Sequence, residues 1–280
     1  MAKGPDVQRN ETGLMHIEYV EAGSGEAVVF IPGSYSTSAA WRPMQKLLPQ
    51  RWRFVSTSLC GYGRTAETRT DADFAIAHEV GVVAQVARRA GGRVHLVGHS
   101  FGATVALACA VLGAVDVVSL SLFEANPMAL LRGRLHLPLY EAAWQVAQDF
   151  AAAVYAGEAD APARIIDYWG GPDAFASLPA GVQDYCRATA PANVLDWRTD
   201  FGFDVTHEDC ARLDVPVLLV RGGLANAAMV AMTDVLAASL RQASPAVVSG
   251  ASHFLISTHA ASCAELLGGF LARVACSSRG

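Results

Sequence analysis

Val94 to Thr104 reads Val-His-Leu-Val-Gly-His-Ser-Phe-Gly-Ala-Thr. Four residues suited to a buried strand run into Gly98-His99-Ser100-Phe101-Gly102, and an apolar run suited to a helix follows. A serine between two glycines, on a sharp turn from strand to helix, is a nucleophile elbow. The turn holds the serine in a strained backbone conformation, with its hydroxyl clear of the strand's carboxyl end. Side chains two residues before or after it would strike the neighbouring strand or helix, which accounts for Gly98 and Gly102. Phe101 then offers its backbone N–H near a helix N-terminus, where negative charge is stabilised. The five-residue pattern is short, and the strand and helix around it are what separate it from a glycine-rich turn carrying an ordinary serine. A serine hydroxyl is a poor nucleophile near pH 7, so the chain must also supply a base, an orienting acid and a second oxyanion donor.

The flanking sequence alternates short apolar strands with helices. Met15 to Glu21 alternates as a half-exposed edge strand, and Ala22-Gly23-Ser24-Gly25 turns the chain. Ala27 to Ile31 is a continuous apolar run of the kind found in central parallel strands. Ser38 is suited to cap a helix running to about Leu48. A strand at Trp52 to Ser56 precedes the glycine-rich loop Leu59 to Arg64, and His78 to Ala90 has helical spacing. Val117 to Phe123 is the next strand. Pro127 to about Asp209 is helix-like and rich in aromatics, and strand patterns return at Val215 to Val220 and Ala246 to Ser249. Helices are expected at Ala227 to Leu240 and Ala260 to Val274. This order predicts an α/β fold with a mostly parallel sheet, interrupted by a helical insertion placed to cover the site.

Composition narrows the partners. The 280 residues are 52% hydrophobic and 17% charged, with a net charge of −5 and no Lys/Arg cluster. That balance argues for a folded soluble chain and against nucleic acid or an anionic membrane as partner. Met1 to Asn10 is polar, so no signal peptide is expected. Phe101 to Val115, the longest apolar run, is too short to span a bilayer and reads as a buried helix. Six scattered cysteines have neither CxxC nor Cys/His metal spacing, which points to reduced thiols in a cytoplasm and to no metal.

Phe30-Ile31-Pro32-Gly33, Gly61-Tyr62-Gly63-Arg64, the elbow and Gly250-Ala251-Ser252-His253-Phe254 occur in the order and at the spacing of the α/β-hydrolase superfamily. The chain resembles its lidded, small-molecule branch from about Gly13 to Arg273. The resemblance implies an eight-stranded type of sheet, with residues 13–126 and 210–276 forming the core and 127–209 a helical cap. Two features depart from the family: the common His-Gly after the third strand is Pro32-Gly33, and the common aspartate after the seventh is absent.

In such a fold the loop carrying His253 reaches the elbow, so His253 is the expected base. The usual acid position follows Val217 to Val220, but Arg221 to Asn226 holds no carboxylate. Glu124 closes the strand that the family counts as its sixth, beside the elbow strand, where some branches place the acid. Ser100, His253 and Glu124 are therefore the expected triad. Asn226 as a neutral orienter and an aspartate from the cap stay open, as does a Glu124 that only pairs with an arginine. The resemblance puts the oxyanion donors at the Phe101 and Ser34 amides; a Ser34 or Tyr35 hydroxyl as an additional donor stays open beside the plainer reading that only the backbone serves. The cap aromatics suggest an apolar substrate or simple packing; Tyr35, Trp144 and Trp169 are the candidate contacts. Acyl transfer from a small ester or lactone is the reaction implied, with no cofactor. Carbon–carbon bond hydrolysis, transfer to a non-water acceptor, and a ligand receptor that keeps the triad are the alternatives. A homodimer is left open.

Overall fold

The continuous apolar runs become strands because both of their faces are covered. The computed structural model of the protein describes residues 16–277, and in it Val28 to Ile31, Val94, Leu96, Val97 and Leu120 are fully buried. Seven strands form one sheet: β1 Val20–Gly23, β2 Glu26–Ile31, β3 Trp52–Ser56, β4 Arg93–His99, β5 Asp116–Phe123, β6 Val217–Gly222 and β7 Ala243–Val248. Their order is β1-β3-β2-β4-β5-β6-β7. Only β1 runs antiparallel to its neighbour. The parallel strands therefore all end at one edge, and β4, which carries the elbow, lies at the centre.

The helices are α1 Arg42–Gln45, α2 Ala77–Arg89, α3 Phe101–Val111, α4 Leu137–Tyr155, α5 Pro162–Gly170, α6 Ala180–Gly202, α7 His207–Arg212, α8 Ala227–Ser239, α9 Leu255–Thr258 and α10 Ala260–Ser277. Val83 of α2, Val105 of α3, Cys210 of α7 and Leu236 of α8 share one apolar layer. Met44 of α1, Leu255 of α9 and Leu267 and Phe270 of α10 share the layer on the other side. Helix α10 is long and apolar enough to cross a membrane, but Cys263, Leu267, Phe270, Leu271 and Val274 are buried in that second layer. A third cluster joins Phe150 of α4, Trp169 of α5 and Trp197 of α6 to Met229 and Met232 at the start of α8. Through it the helices between β5 and β6 sit at the carboxyl edge of the sheet.

Several local expectations change. The described sheet has seven strands, not eight. The first begins at Val20, and Met15 lies outside the described residues. All four β1 residues are exposed, so alternation has no buried face to set the strand's limits. Pairing with β3 sets them, carrying the strand through Gly23 opposite Arg53. Only Ser24-Gly25 is left to turn the chain. The helix expected from Ser38 to Leu48 is split into a 3-10 turn over Ser38–Trp41 and the short α1. Thr37, not Ser38, provides the cap; Ser38 is buried and its N–H donates to Ser58 Oγ. The last two strands shift to Val217–Gly222 and Ala243–Val248, where their mutual pairing runs.

Glycine has opposite roles at two positions. A Cβ on Gly98 would stand 2.4 Å from the Gly102 carbonyl oxygen and 2.5 Å from Ala103 Cα, whereas one on Gly81, inside α2, would meet nothing within 4 Å. We expect Gly98→Ala to cost about 1–3 kcal/mol through overpacking. Gly81→Ala should stabilise by about 0.5–1 kcal/mol by raising helix propensity. Urea unfolding midpoints measure both.

Candidate active site

Among the described residues, three of the four non-glycine residues with left-handed backbone follow strand ends at one edge of the sheet: Tyr35 (φ 58°) after β2, Ser100 (φ 54°) after β4 and Glu124 (φ 51°) after β5. Such strain persists only where the surroundings over-determine it. At Ser100 they do. Its N–H donates to the Phe123 carbonyl. A Cβ on Gly102 would stand 2.2 Å from the Pro32 carbonyl oxygen, so only glycine lets α3 begin against the end of β2. Gly33 is also close, a Cβ there standing 3.0 Å from Ser100 Cβ.

Ser100 Oγ lies 3.0 Å from His253 Nε2, and His253 Nδ1 lies 3.0 Å from Glu124 Oε2. A carboxylate only accepts, so His253 carries its proton on Nδ1 and leaves Nε2 to accept from the serine. Glu124 Oε1 accepts from the Gly222 N–H at 2.5 Å, which holds both oxygens in place. Ser100 and His253 are 7% and 5% exposed and Glu124 is fully buried, so the line of three groups is shielded from water. Glu124 pairs with His253 and not with an arginine. Asn226 caps α8, accepting from Met229 N–H and donating to the Tyr168 carbonyl, and does not reach the imidazole.

His99, inside the elbow, turns away from Ser100 and donates from Nε2 to the His253 carbonyl at 2.8 Å. Burial, and next the nearby His253 ring, push its pKa down to about 3, against the effect of that hydrogen bond. It therefore stays neutral beside the His253 imidazole.

Phe101 is the first residue of α3, and its N–H has no intrahelical acceptor. Ser34 follows Gly33 beside Ser100. The Ser34 hydroxyl is directed elsewhere: it donates to Asp196 Oδ2 at 2.5 Å, so only its backbone is left for the site. Asp196, on α6, also accepts from Tyr62 OH at 2.7 Å and pairs with Arg69 at 2.7 Å. Arg69 is buried and meets Glu67 and Glu79 at 2.8 and 3.1 Å. One cation thus faces three carboxyl groups. Burial raises the Asp196 pKa against the pull of Arg69, and Glu79 is pushed up to about 7. No local pattern in the sequence marks this network, because Arg69 and Asp196 are 127 residues apart.

Of the expected substrate contacts, Trp169 lies against the site, its ring 5.6 Å from that of His253 and stacked at 5.7 Å on Trp197. Tyr35 packs edge-on to Tyr62. Trp144 is not brought there. It is 42% exposed and packs edge-on to Phe201 on the outside of the helical layer, because its position on α4 faces solvent. Among the described residues no group of three or more His, Cys, Asp or Glu is placed to hold a metal ion.

Two outcomes follow. Arg69→Met leaves Glu79 and Asp196 buried without their cation and should cost about 3–5 kcal/mol in urea unfolding. The His99 pKa falls from 6.5 in the unfolded chain to about 3 in the fold. Between those values the unfolded state takes up a proton that the folded state refuses, so this group destabilises the protein as pH drops through that window. Wild type should therefore lose stability relative to His99→Gln between pH 6.5 and 3 and keep a constant difference above pH 7. A pH series of urea midpoints for the two proteins checks this.

No curated protein matches the chain in sequence. Its structure is similar to an alpha/beta hydrolase from Sphaerobacter thermophilus, at 20% identity and a TM-score of 0.70, over 94% of this chain and 100% of that one. It is also similar to a thermophilic esterase from Thermogutta terrifontis, at 17% identity and a TM-score of 0.74, over 96% and 97%. A third likeness is to Est816, described as an N-acyl homoserine lactone degrading enzyme, at 17% identity and a TM-score of 0.71, over 95% and 99%. At these identities the likeness is one of fold. The sequence pattern of the Alpha/beta hydrolase family matches residues 28–266, and with the sheet order and the strand-end serine it makes this chain a member of that family.

Proposed function

We propose that the protein is a serine hydrolase of small esters or lactones, with Ser100 as nucleophile, His253 as general base and acid, and Glu124 as the orienting acid. The observation that carries this reading is the unbroken line from Ser100 Oγ through both His253 nitrogens to Glu124, at 3.0 Å for each contact. The esterase and the lactone-degrading enzyme of the same fold favour these substrate classes.

In the first half-reaction His253 Nε2 takes the Ser100 proton as Oγ attacks the carbonyl carbon. The Glu124 carboxylate stabilises the imidazolium that forms. The Phe101 and Ser34 amides receive the developing oxyanion, and the N-terminal end of α3 adds its dipole. His253 then gives the proton to the leaving alkoxide, leaving an acyl-serine. Water, deprotonated by the same nitrogen, attacks that ester and releases the acid, returning the proton to Ser100. Residues 127–209 act as a cap that keeps bulk water from these groups, with Trp169 and Tyr35 turned to the substrate. The described cysteines are all unpaired and all but Cys276 are buried, which supports a reducing compartment such as the cytoplasm.

Hydrolysis of p-nitrophenyl butyrate and of a γ- and δ-lactone panel tests the proposal. Ser100→Ala should lower kcat by about 10⁴-fold or more, and Glu124→Gln by about 10²–10⁴-fold. A Ser100→Ala protein that hydrolyses at the wild-type rate would overturn it.

A further inference from the structure

A buried polar atom without a partner is uncommon in a folded protein, and each one calls for an explanation. Tyr35 OH and Trp169 Nε1 are two such atoms: Trp169 packs on the His253 ring, and Tyr35 lies two residues beyond Gly33, which approaches Ser100. Trp169 is 5% exposed. Its ring lies between Trp197, parallel to it within 3°, and His253. Tyr35 follows Ser34 directly and is held with φ at 58°. Its side chain packs against the same apolar cluster that contains Trp169 and Trp197. Two other buried indoles, Trp41 and Trp52, also lack an acceptor. They sit in the layer between the sheet and α10, on the side away from the helices that cover the site.

We propose that Tyr35 OH and Trp169 Nε1–H are specificity-determining donors for a hydrogen-bond acceptor that the substrate carries besides its scissile carbonyl, such as an ether, ketone or second ester oxygen. The proposal rests on the hydrolase reading given above and adds a substrate feature to it. The walls around the two donors are aromatic and aliphatic, so the favoured molecule is apolar apart from that acceptor. A wholly hydrocarbon ester would leave both donors buried and unpaired in the complex. A site built to hydrogen-bond its substrate discriminates against the analogue that lacks the group more strongly than an apolar pocket discriminates by size. Burial also holds the Tyr35 phenol well above its ordinary pKa, so it remains a donor throughout the neutral range.

Matched pairs that exchange one CH2 for oxygen read this directly. One pair is p-nitrophenyl butyrate and p-nitrophenyl methoxyacetate, which places the oxygen in the acyl part. The other is butyl acetate and 2-methoxyethyl acetate, which places it in the alcohol. The ratio of kcat/KM within a pair, compared between wild type and variant, cancels the intrinsic reactivity of each ester. In Tyr35→Phe and Trp169→Phe the preference for the ether member should fall about tenfold in at least one pair. Ratios unchanged within twofold for both pairs in both variants would overturn the proposal.

A binding readout separates this idea from the hydrolase reading. In Ser100→Ala protein labelled with ¹⁵N-tryptophan, and with Trp169→Phe for assignment, the Trp169 indole N–H resonance should move downfield with 2-methoxyethyl acetate and much less with butyl acetate. Equal or absent movement overturns the assignment of Trp169 as donor. Absence of any Ser100-dependent turnover, accompanied by the selective shift, would instead refute the hydrolase reading and leave the recognition intact.

Discussion

Helix α3 can begin against the end of β2 because Gly102 has no side chain, the Pro32 carbonyl oxygen standing 2.2 Å from where a Cβ would be. Gly98 permits the matching approach on the other side of Ser100. The Gly102 contact sets the distance between the elbow and the end of β2, while Gly98 lets the first turn of α3 lie against β4. They leave Gly33, which precedes Ser34, against Ser100. Left-handed conformations at Tyr35, Ser100 and Glu124 follow the ends of three strands at this edge. They are held by a sheet whose central strands are buried on both faces, where a local rearrangement would cost many packing contacts at once.

The helical segment is fastened to that edge by charge as well as by apolar contact. Asp196 of α6 takes hydrogen bonds from Ser34 and Tyr62 and an ion pair from Arg69, while Arg69 also donates to the Cys60 carbonyl. The loop after β2, the loop between β3 and α2, and helices α2 and α6 therefore meet around a single buried cation. A buried pair of this kind adds little net stability over an apolar replacement, yet breaking it by removing one partner is costly. The physical effect is registration. The loop that carries Ser34 is tied to α6 on one side and to the elbow through Gly33 on the other, so the position of the helices and the direction of the Ser34 amide are linked.

The parts legible in the sequence are those that depend on neighbours along the chain. The elbow is local, and the alternation of buried strands with helices orders β2 to β7 around it. Ser100, His253 and Glu124 meet because each follows a parallel strand at the same edge, which the order of apolar runs already implies. What escaped depends on distance or on exposure. The Arg69–Asp196 pair joins a polar loop to a helix with no motif at either end. Composition groups Trp144 with the other aromatics, although its place on α4 turns it to solvent, 42% exposed. Ser38 looked like a helix cap, but its N–H is claimed by Ser58 and Thr37 caps the turn. The first strand was read from an alternation that has no buried face behind it, so only its pairing with β3 could set its limits.

The empty acid position after β6 has a structural counterpart. A Cβ on Gly222 would stand 2.3 Å from the Ala251 carbonyl oxygen. Gly223 N–H donates to the Val248 carbonyl and Leu224 N–H to that of Ala251. The loop after β6 is thus closed backbone to backbone on the turn that carries His253, with no room for a side chain at Gly222 to approach the imidazole. Its remaining contribution is the Gly222 N–H, which points at Glu124 Oε1. Glu124, at the adjacent strand end, accepts a hydrogen bond from His253 Nδ1–H, and the loop that lacks a carboxylate supplies the donor to its other oxygen. Both Glu124 oxygens are thus engaged, one by the imidazole and one by the backbone of that loop, so the carboxylate is fixed in orientation by the same two strand ends that bring His253 to the edge of the sheet.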